Sequence, residues 1–330
     1  MASTDSIDHI DGIPVRSEGV AFDAEQLLSC GACSRTNPPT RLKCVYCGAD
    51  LEVPSEIADR LSPTLRRLDP WEKGFNVVVT GGSSASAADL TALLRSEPEF
   101  AEVVAAAPRP LPLARVESER EAGIVARRLG ELGFETTIVR DADLAAETAP
   151  KRIRGLSFSE DSIEFRLFND DTTVNAPLSG IRTIVVGAVF KKAVEATEKR
   201  KRGETRTVDA TETASDESVI DIYLAGDPVG YRILTSGFDF SCLGREKGIL
   251  ARANMDRLRS KLVVAATNAR FAGDYLAVRQ ALGFVWEVEV RRDSLGMKRS
   301  SLGRFDFKSV SSSSNLEQFN KYSRMQYFLA

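Results

Sequence analysis

The clearest periodicity in the chain lies between Ser118 and Gly133. Ala122, Val125, Ala126, Leu129 and Leu132 recur at helical spacing on one face, Ser118 and Glu121 form a capping box, and Gly133 supplies the stop. Ahead of it, Phe75-Asn-Val-Val-Val-Thr80 is an apolar run of strand length that feeds the turn residues Gly81 to Ser84. Helical patterns then cover 87–95 and 97–106, a short strand covers 111–116, and a last strand follows at 134–140. Residues 74–140 are therefore expected to form a small α/β domain in the order strand, helix, helix, strand, helix, strand.

Past a linker at 141–151 the pattern turns to alternation. Ile153 to Phe158 and Ile163 to Phe168 read as a hairpin around Glu160-Asp161, and Ile181 to Phe190 as a third strand. Val219 to Leu224 and Tyr231 to Ser236 follow, joined by Gly226-Asp-Pro228. A helix from about Glu246 to Val264 carries Leu250, Met255, Leu258 and Leu262 on one side. Antiparallel strands closed by one amphipathic helix resemble the order of pleckstrin-homology-like barrels, so 152–266 is expected to be such a barrel. The tail, 267–330, predicts a helix at Tyr275 to Leu282 and an alternating strand through Phe284, Trp286, Val288 and Val290. A basic, irregular stretch at Arg291 to Ser301 follows, then a final helix opened by the capping box Ser314 to Glu317 and striped with Leu316, Phe319, Tyr322, Met325 and Leu329.

Composition adds bounds. A hydrophobic share of 43% with 28% charged residues is enough for real cores. The net charge of −3 gives no global pull toward nucleic acid or anionic membrane, so any such binding needs a local patch. One candidate patch is the insert at 191–206, read as a loop, with Lys199-Arg200-Lys201-Arg202 at its centre. The acidic stretch Asp209 to Glu217 comes straight after it. No apolar run approaches the ~20 residues that span a bilayer, and the leader, 1–24, is polar and expected to be disordered. His9, in that leader, is the single histidine, which removes most Ser-His-acid, Cys-His and multi-histidine schemes. Val77 to Ser84 resembles the opening of a short-chain dehydrogenase, but no tyrosine here has a lysine four residues later, as that family's catalytic pair requires.

The candidate chemistry lies in Cys30-Gly-Ala-Cys33 and Cys44-Val-Tyr-Cys47. Two Cys-x2-Cys pairs suit one tetrahedral Zn2+, with every position held by protein, so Cys30, Cys33, Cys44 and Cys47 are expected to bind one structural ion in a ribbon at 25–52. Gly31 and Gly48 stand where such knuckles tend to need an unhindered backbone. Cys242 is left without a partner, which fits a reducing, cytoplasmic setting.

With Asn37 between the pairs, the spacing resembles the Ran-binding-protein type of zinc finger, some members of which bind single-stranded RNA. The resemblance implies Arg35, Asn37, Arg41 and Tyr46 as possible nucleic-acid contacts, although Leu28 stands where that family has tryptophan. Residues 74–140 resemble the C-terminal domain of the ribosomal stalk protein and the Clp adaptor fold. The matching stretches are Phe75-Asn-Val-Val-Val, Glu102-Val-Val-Ala-Ala-Ala-Pro108, Ser118-Glu-Arg-Glu-Ala and Leu132-Gly-Phe-Glu-Thr-Thr-Ile-Val139.

The sequence thus predicts a multi-domain α+β chain: a leader, a zinc ribbon, a linker at 53–73, a stalk-like α/β domain, a β-rich barrel with its helix, and a mixed tail. The expected function is that of a cytosolic, zinc-containing interaction or scaffold protein without catalytic activity, its partner a protein. The alternative is an RNA-binding or ribosome-associated protein acting through the ribbon and the 191–206 segment.

Overall fold

The computed structural model describes residues 8–10, 13–15, 27–39, 41–53, 68–69, 71–82, 86–94, 98–169, 172–201, 204–301 and 304–330. The chain divides into two compact units, Met1–Thr64 and Leu65–Ala330. Most of the expected 53–73 linker lies outside the described residues.

In the smaller unit, β1 (Asp8–Ile10) and β2 (Ile13–Val15) pair antiparallel within the segment read as a leader. Further on, β3 (Leu28–Ser29) pairs with β4 (Thr36–Asn37). Cys30, Cys44, Leu51 and Val53 are buried together there, with Leu28, Cys33, Leu42 and Ala49 packed against them.

In the larger unit the predicted elements of 74–140 are all present: β5 (Phe75–Gly82), α1 (Ala87–Leu94), α2 (Pro98–Ala106), β6 (Leu111–Val116), α3 (Glu119–Glu131) and β7 (Phe134–Arg140). The strands form an antiparallel sheet in the order β6-β5-β7. Ser118 caps α3 by accepting a hydrogen bond from the Glu121 N–H. Val77, Val78 and Val79 are all fully buried, so both faces of β5 are covered. Part of that cover comes from the tail, because α6 (Tyr275–Leu282), Trp286 and α7 (Leu316–Phe328) share a core with β5, β6 and α3. The Trp286 indole N–H donates to the Asn76 side-chain oxygen Oδ1 at 3.0 Å, a bond across 210 positions of sequence.

After the short α4 (Asp141–Leu144), the chain enters a nine-stranded sheet. Its members are β8 (Lys151–Phe158), β9 (Ser162–Leu167), β10 (Thr173–Pro177), β11 (Ile181–Lys201), β12 (Glu204–Leu224), β13 (Tyr231–Leu234), β14 (Arg270–Ala272), β15 (Val290–Ser301) and β16 (Arg304–Ser314). The order is β10-β9-β8-β13-β12-β11-β16-β15, with β14 parallel to β11. This corrects the expectation of a closed barrel. Closure would need β10 and β15 to meet, but they are the two ends of an open sheet, and the tail supplies β15 and β16 as extra strands on β11. What stands is a mixed α+β fold built on a large sheet.

The alternation along β11 and β12 directs side chains into two different cores. Val185, Val219 and Tyr223 face the core shared with α6 and α7. Ile184, Ile220 and Ile222 face a second core with β8, β9, β13 and α5 (Ala251–Ala265), through Met255, Leu258 and Leu262. A strand with period 2 buried on both faces is the reason these runs are so apolar.

Two further expectations change. The basic loop at 191–206 is the distal half of a long hairpin, since β11 and β12 are 21 residues each and pair as far as Lys201 opposite Glu204. The alternation from Phe284 to Val290 does not form a strand: Val285 and Trp286 close a turn on Leu282, and β15 begins only at Val290.

Candidate metal centre

Each Cys-x2-Cys pair sits on a tight backbone turn. Ser34 N–H donates to the Cys30 carbonyl at 2.8 Å and Gly48 N–H to the Cys44 carbonyl at 3.0 Å. The residue that closes each turn is left-handed, at φ 59° for Ser34 and 74° for Gly48. Glycine takes that conformation without strain, and serine occupies it in the first knuckle. Gly31, by contrast, needs no special backbone.

Asn37 joins the knuckles. It is fully buried, its amide N–H donates to the Arg35 carbonyl at 2.9 Å, and its side-chain oxygen accepts the Val45 N–H at 2.9 Å. The second knuckle is thereby held over the first.

The four sulfurs converge. All Sγ atoms lie within 4.8 Å of one another, and the Cys30–Cys47 and Cys33–Cys44 separations are both 3.6 Å. A disulfide requires about 2.05 Å, whereas four sulfurs at ~2.3 Å from one tetrahedral ion are ~3.8 Å apart. The close pairs are drawn one from each knuckle, as a shared centre demands.

The electrostatics point the same way. Burial opposes ionisation of Cys44, but N–H groups at Tyr46 and Cys47 and the Asn37 side chain outweigh it and bring the thiol down to about 6. At Cys47 the Ala49 backbone favours the thiolate, yet Cys33, burial, Cys30 and Cys44 together push the thiol up to about 12. A cation between the knuckles would relieve the crowding that raises the Cys47 thiol. The residues therefore fit a metal ion, and all four ligands come from the protein.

Of the proposed nucleic-acid contacts in this unit, Arg35 lies over the Tyr46 ring at 4.7 Å and both are exposed, as is Arg41. Asn37 is spent inside the fold. Lys199, Arg200 and Lys201 lie on β11 near the hairpin tip, in the larger unit. Arg202 falls outside the described residues.

No known protein family, curated protein or solved structure matches this chain. Its functional reading rests on its own geometry.

Sequence reasoning missed a second polar cluster. Asp221, fully buried, accepts two hydrogen bonds from the Arg232 guanidinium at 2.7 Å each and one from Ser323 Oγ at 2.7 Å. Arg232 also donates to Asn320 at 2.8 Å, and Tyr223 Oη is 2.7 Å from Ser323 Oγ. Burial, and then the Asp221 charge, raise the Tyr223 phenol well above its usual range, so it stays protonated. The signal was present: Asp221 and Arg232 each interrupt an apolar strand with opposite charge, and they are direct partners across β12 and β13. The cluster fastens α7 to the sheet.

A third cluster ties Asp141 to β5 and β6. Its carboxylate accepts hydrogen bonds from Gly74 N–H at 2.8 Å, Asn76 at 2.8 Å and Arg115 at 2.9 Å. A cavity of about 270 Å³ opens beside it, lined by Lys73, Arg115, Thr148 and Lys321 among others.

Among the described residues, no helix is long and apolar enough to cross a membrane.

Proposed function

We propose that this chain is a cytoplasmic interaction or scaffold protein without catalytic activity, in which Cys30, Cys33, Cys44 and Cys47 hold one structural Zn2+. The observation that carries the reading is the convergence of the four cysteines: with every Sγ within 4.8 Å of the others, one ion bound by all four would have its tetrahedral positions filled by protein, with none left for water or substrate. Zinc is the metal that an all-thiolate set favours in a ribbon of this size. The element order of 74–140 supports a domain of the stalk or Clp-adaptor kind, a small α/β body whose surface holds partners. The protein reading assigns the ribbon and that body to partner contact.

The second reading is RNA binding, and the exposed Arg35 and Tyr46 stack favours it. An arginine plane on an aromatic ring, with Arg41 on the same short segment, offers a base a stacking face and its phosphates a charge. Asn37 takes no part in it, being buried.

The test is to compare the intact chain with a Cys44→Ser/Cys47→Ser variant. Metal content is measured first; binding is then measured by capture from lysate at low and high salt, with both proteins and RNA recovered. A defined protein that stays bound at high salt supports the scaffold reading. RNA that is lost with salt and with the double substitution supports the second. One zinc per variant chain would remove the premise of both.

A further inference from the structure

The distal half of the large sheet differs from the rest of the molecule. Over 191–201 of β11, 204–218 of β12, and all of β15 and β16, none of the described side chains is buried. The four strands run in the order β12-β11-β16-β15, and this part of β12 has no further neighbour because β13 pairs only with Val219 to Ile222. Two backbone edges are therefore open, β12 on one side over 204–217, short of Ser218 whose carbonyl accepts the Thr235 N–H at 3.3 Å, and β15 on the other over 290–301.

What guards these edges is charge, which repels an edge of its own sign and attracts one of the opposite sign. Both are long, and both lack proline. Their charges are opposite. Among the described side chains, the β12 edge holds Glu212, Asp216 and Glu217, and the β15 edge holds Arg291 and Arg292 against Asp293; Glu212 also pairs with Lys192 at 3.0 Å, and Glu217 accepts the Ser236 N–H. Leu295, on the β15 edge, is 81% exposed. Arg291 and Arg292 do bond Asp293 and Glu317 within the chain, but these are exposed pairs that hold their partners weakly.

We propose that this four-stranded arm joins copies of the chain head to tail, the β12 edge of one copy pairing antiparallel with the β15 edge of the next. Direction and charge agree on this arrangement. Neighbouring strands alternate in direction across the arm, so β12 and β15 run oppositely, and a second copy shifted along the sheet continues the antiparallel alternation. The two-fold alternatives set β12 against β12, acid on acid, or β15 against β15, base on base. Such a contact is heterologous, and it grows into a ring or a filament rather than stopping at a dimer.

Charge reversal on each edge tests this in the full chain. One variant is Glu212→Lys/Asp216→Lys; the other is Arg291→Glu/Arg292→Glu. Sedimentation velocity should show the unaltered chain more than doubling its average mass with concentration at low salt and returning to monomer at high salt. Each variant alone should stay monomeric with an unchanged circular dichroism spectrum. Mixed in equal amounts, they should assemble again, since each edge then meets an edge of opposite sign, and this recovery also shows that both variants are folded. Three results overturn the proposal: an unaltered chain that is monomeric throughout, variants that assemble on their own as the parent does, or a mixture that does not recover. A Ser294→Cys chain that cross-links efficiently to itself through that residue would also overturn it, because it requires β15 to face β15.

Discussion

Replacing Asp221 by Asn tests how the large sheet and α7 are held together. The substitution keeps the side-chain size, so little cavity is created, but it removes the charge that two Arg232 hydrogen bonds and one Ser323 bond converge on. Asp221 is fully buried and Arg232 is only 6% exposed, so water cannot take the lost partner's place. Breaking a buried pair from one side costs about 3–5 kcal/mol, mainly because the remaining charge stays desolvated. In a unit of this length that lowers the melting temperature by about 6–20 °C. Urea unfolding followed by tryptophan fluorescence reads it directly, since Trp286 is buried in the core that α7 completes. The control is Asp221→Leu with Arg232→Met, which removes both charges and should cost much less than the single substitution. A loss below ~1 kcal/mol for Asp221→Asn would refute the reasoning, as would a double variant as unstable as the two single effects added together.

Other substitutions probe the remaining features. Cys44→Ser should abolish zinc binding and unfold the ribbon while the unfolding transition of the larger unit stays in place, measured by metal analysis and by urea titration. Gly187→Val should destabilise by about 1–3 kcal/mol, because a Cβ there would lie 2.5 Å from the Phe319 ring and 2.9 Å from that of Tyr275. Trp286→Phe should lose about 1–3 kcal/mol by leaving the Asn76 side-chain oxygen buried without its donor. Asp141 gives a pH signature. Burial works against its charge, but hydrogen bonds from Arg115 and Asn76 outweigh it and hold the carboxyl below its ordinary value. Its stabilisation is thus fully present above pH ~4, the unfolded value, and is lost as pH falls through the lower folded one. The stability gap between the parent chain and Asp141→Asn should close over that acid range in urea titrations and be constant from there to neutral pH.

How much was legible in the sequence follows from where burial is one-sided. The helix α3 shows its apolar face openly because its other face is wet, and the four cysteines announce themselves by spacing alone. The distal halves of β11 and β12 gave no strand signal, since none of the described side chains of the arm is buried and no burial selects apolar residues at alternate positions there; charge made them look like a loop. Phe284 to Val290 misled for the opposite reason. Trp286 is buried and Phe284 is half exposed, but they meet their surroundings from a turn. That the sheet stays open was invisible because it depends on β15 and β16, which add to β11 from more than a hundred residues away. Asn37 read as a contact residue because a polar side chain between two knuckles looks the same whether it serves a ligand or the backbone.

The bond from Trp286 to Asn76 also bears on how the protein is made. Strand β5 leaves the ribosome early, yet the core on it includes Tyr275, Phe319, Tyr322 and Met325, which are synthesised far later. Through most of translation, residues 74–140 must wait with an apolar face uncovered. That interval favours capture by chaperones, and a chain cut short before α7 would expose the same face for good. Such a truncated product is expected to aggregate or be degraded, even though every element of its α/β segment has been completed.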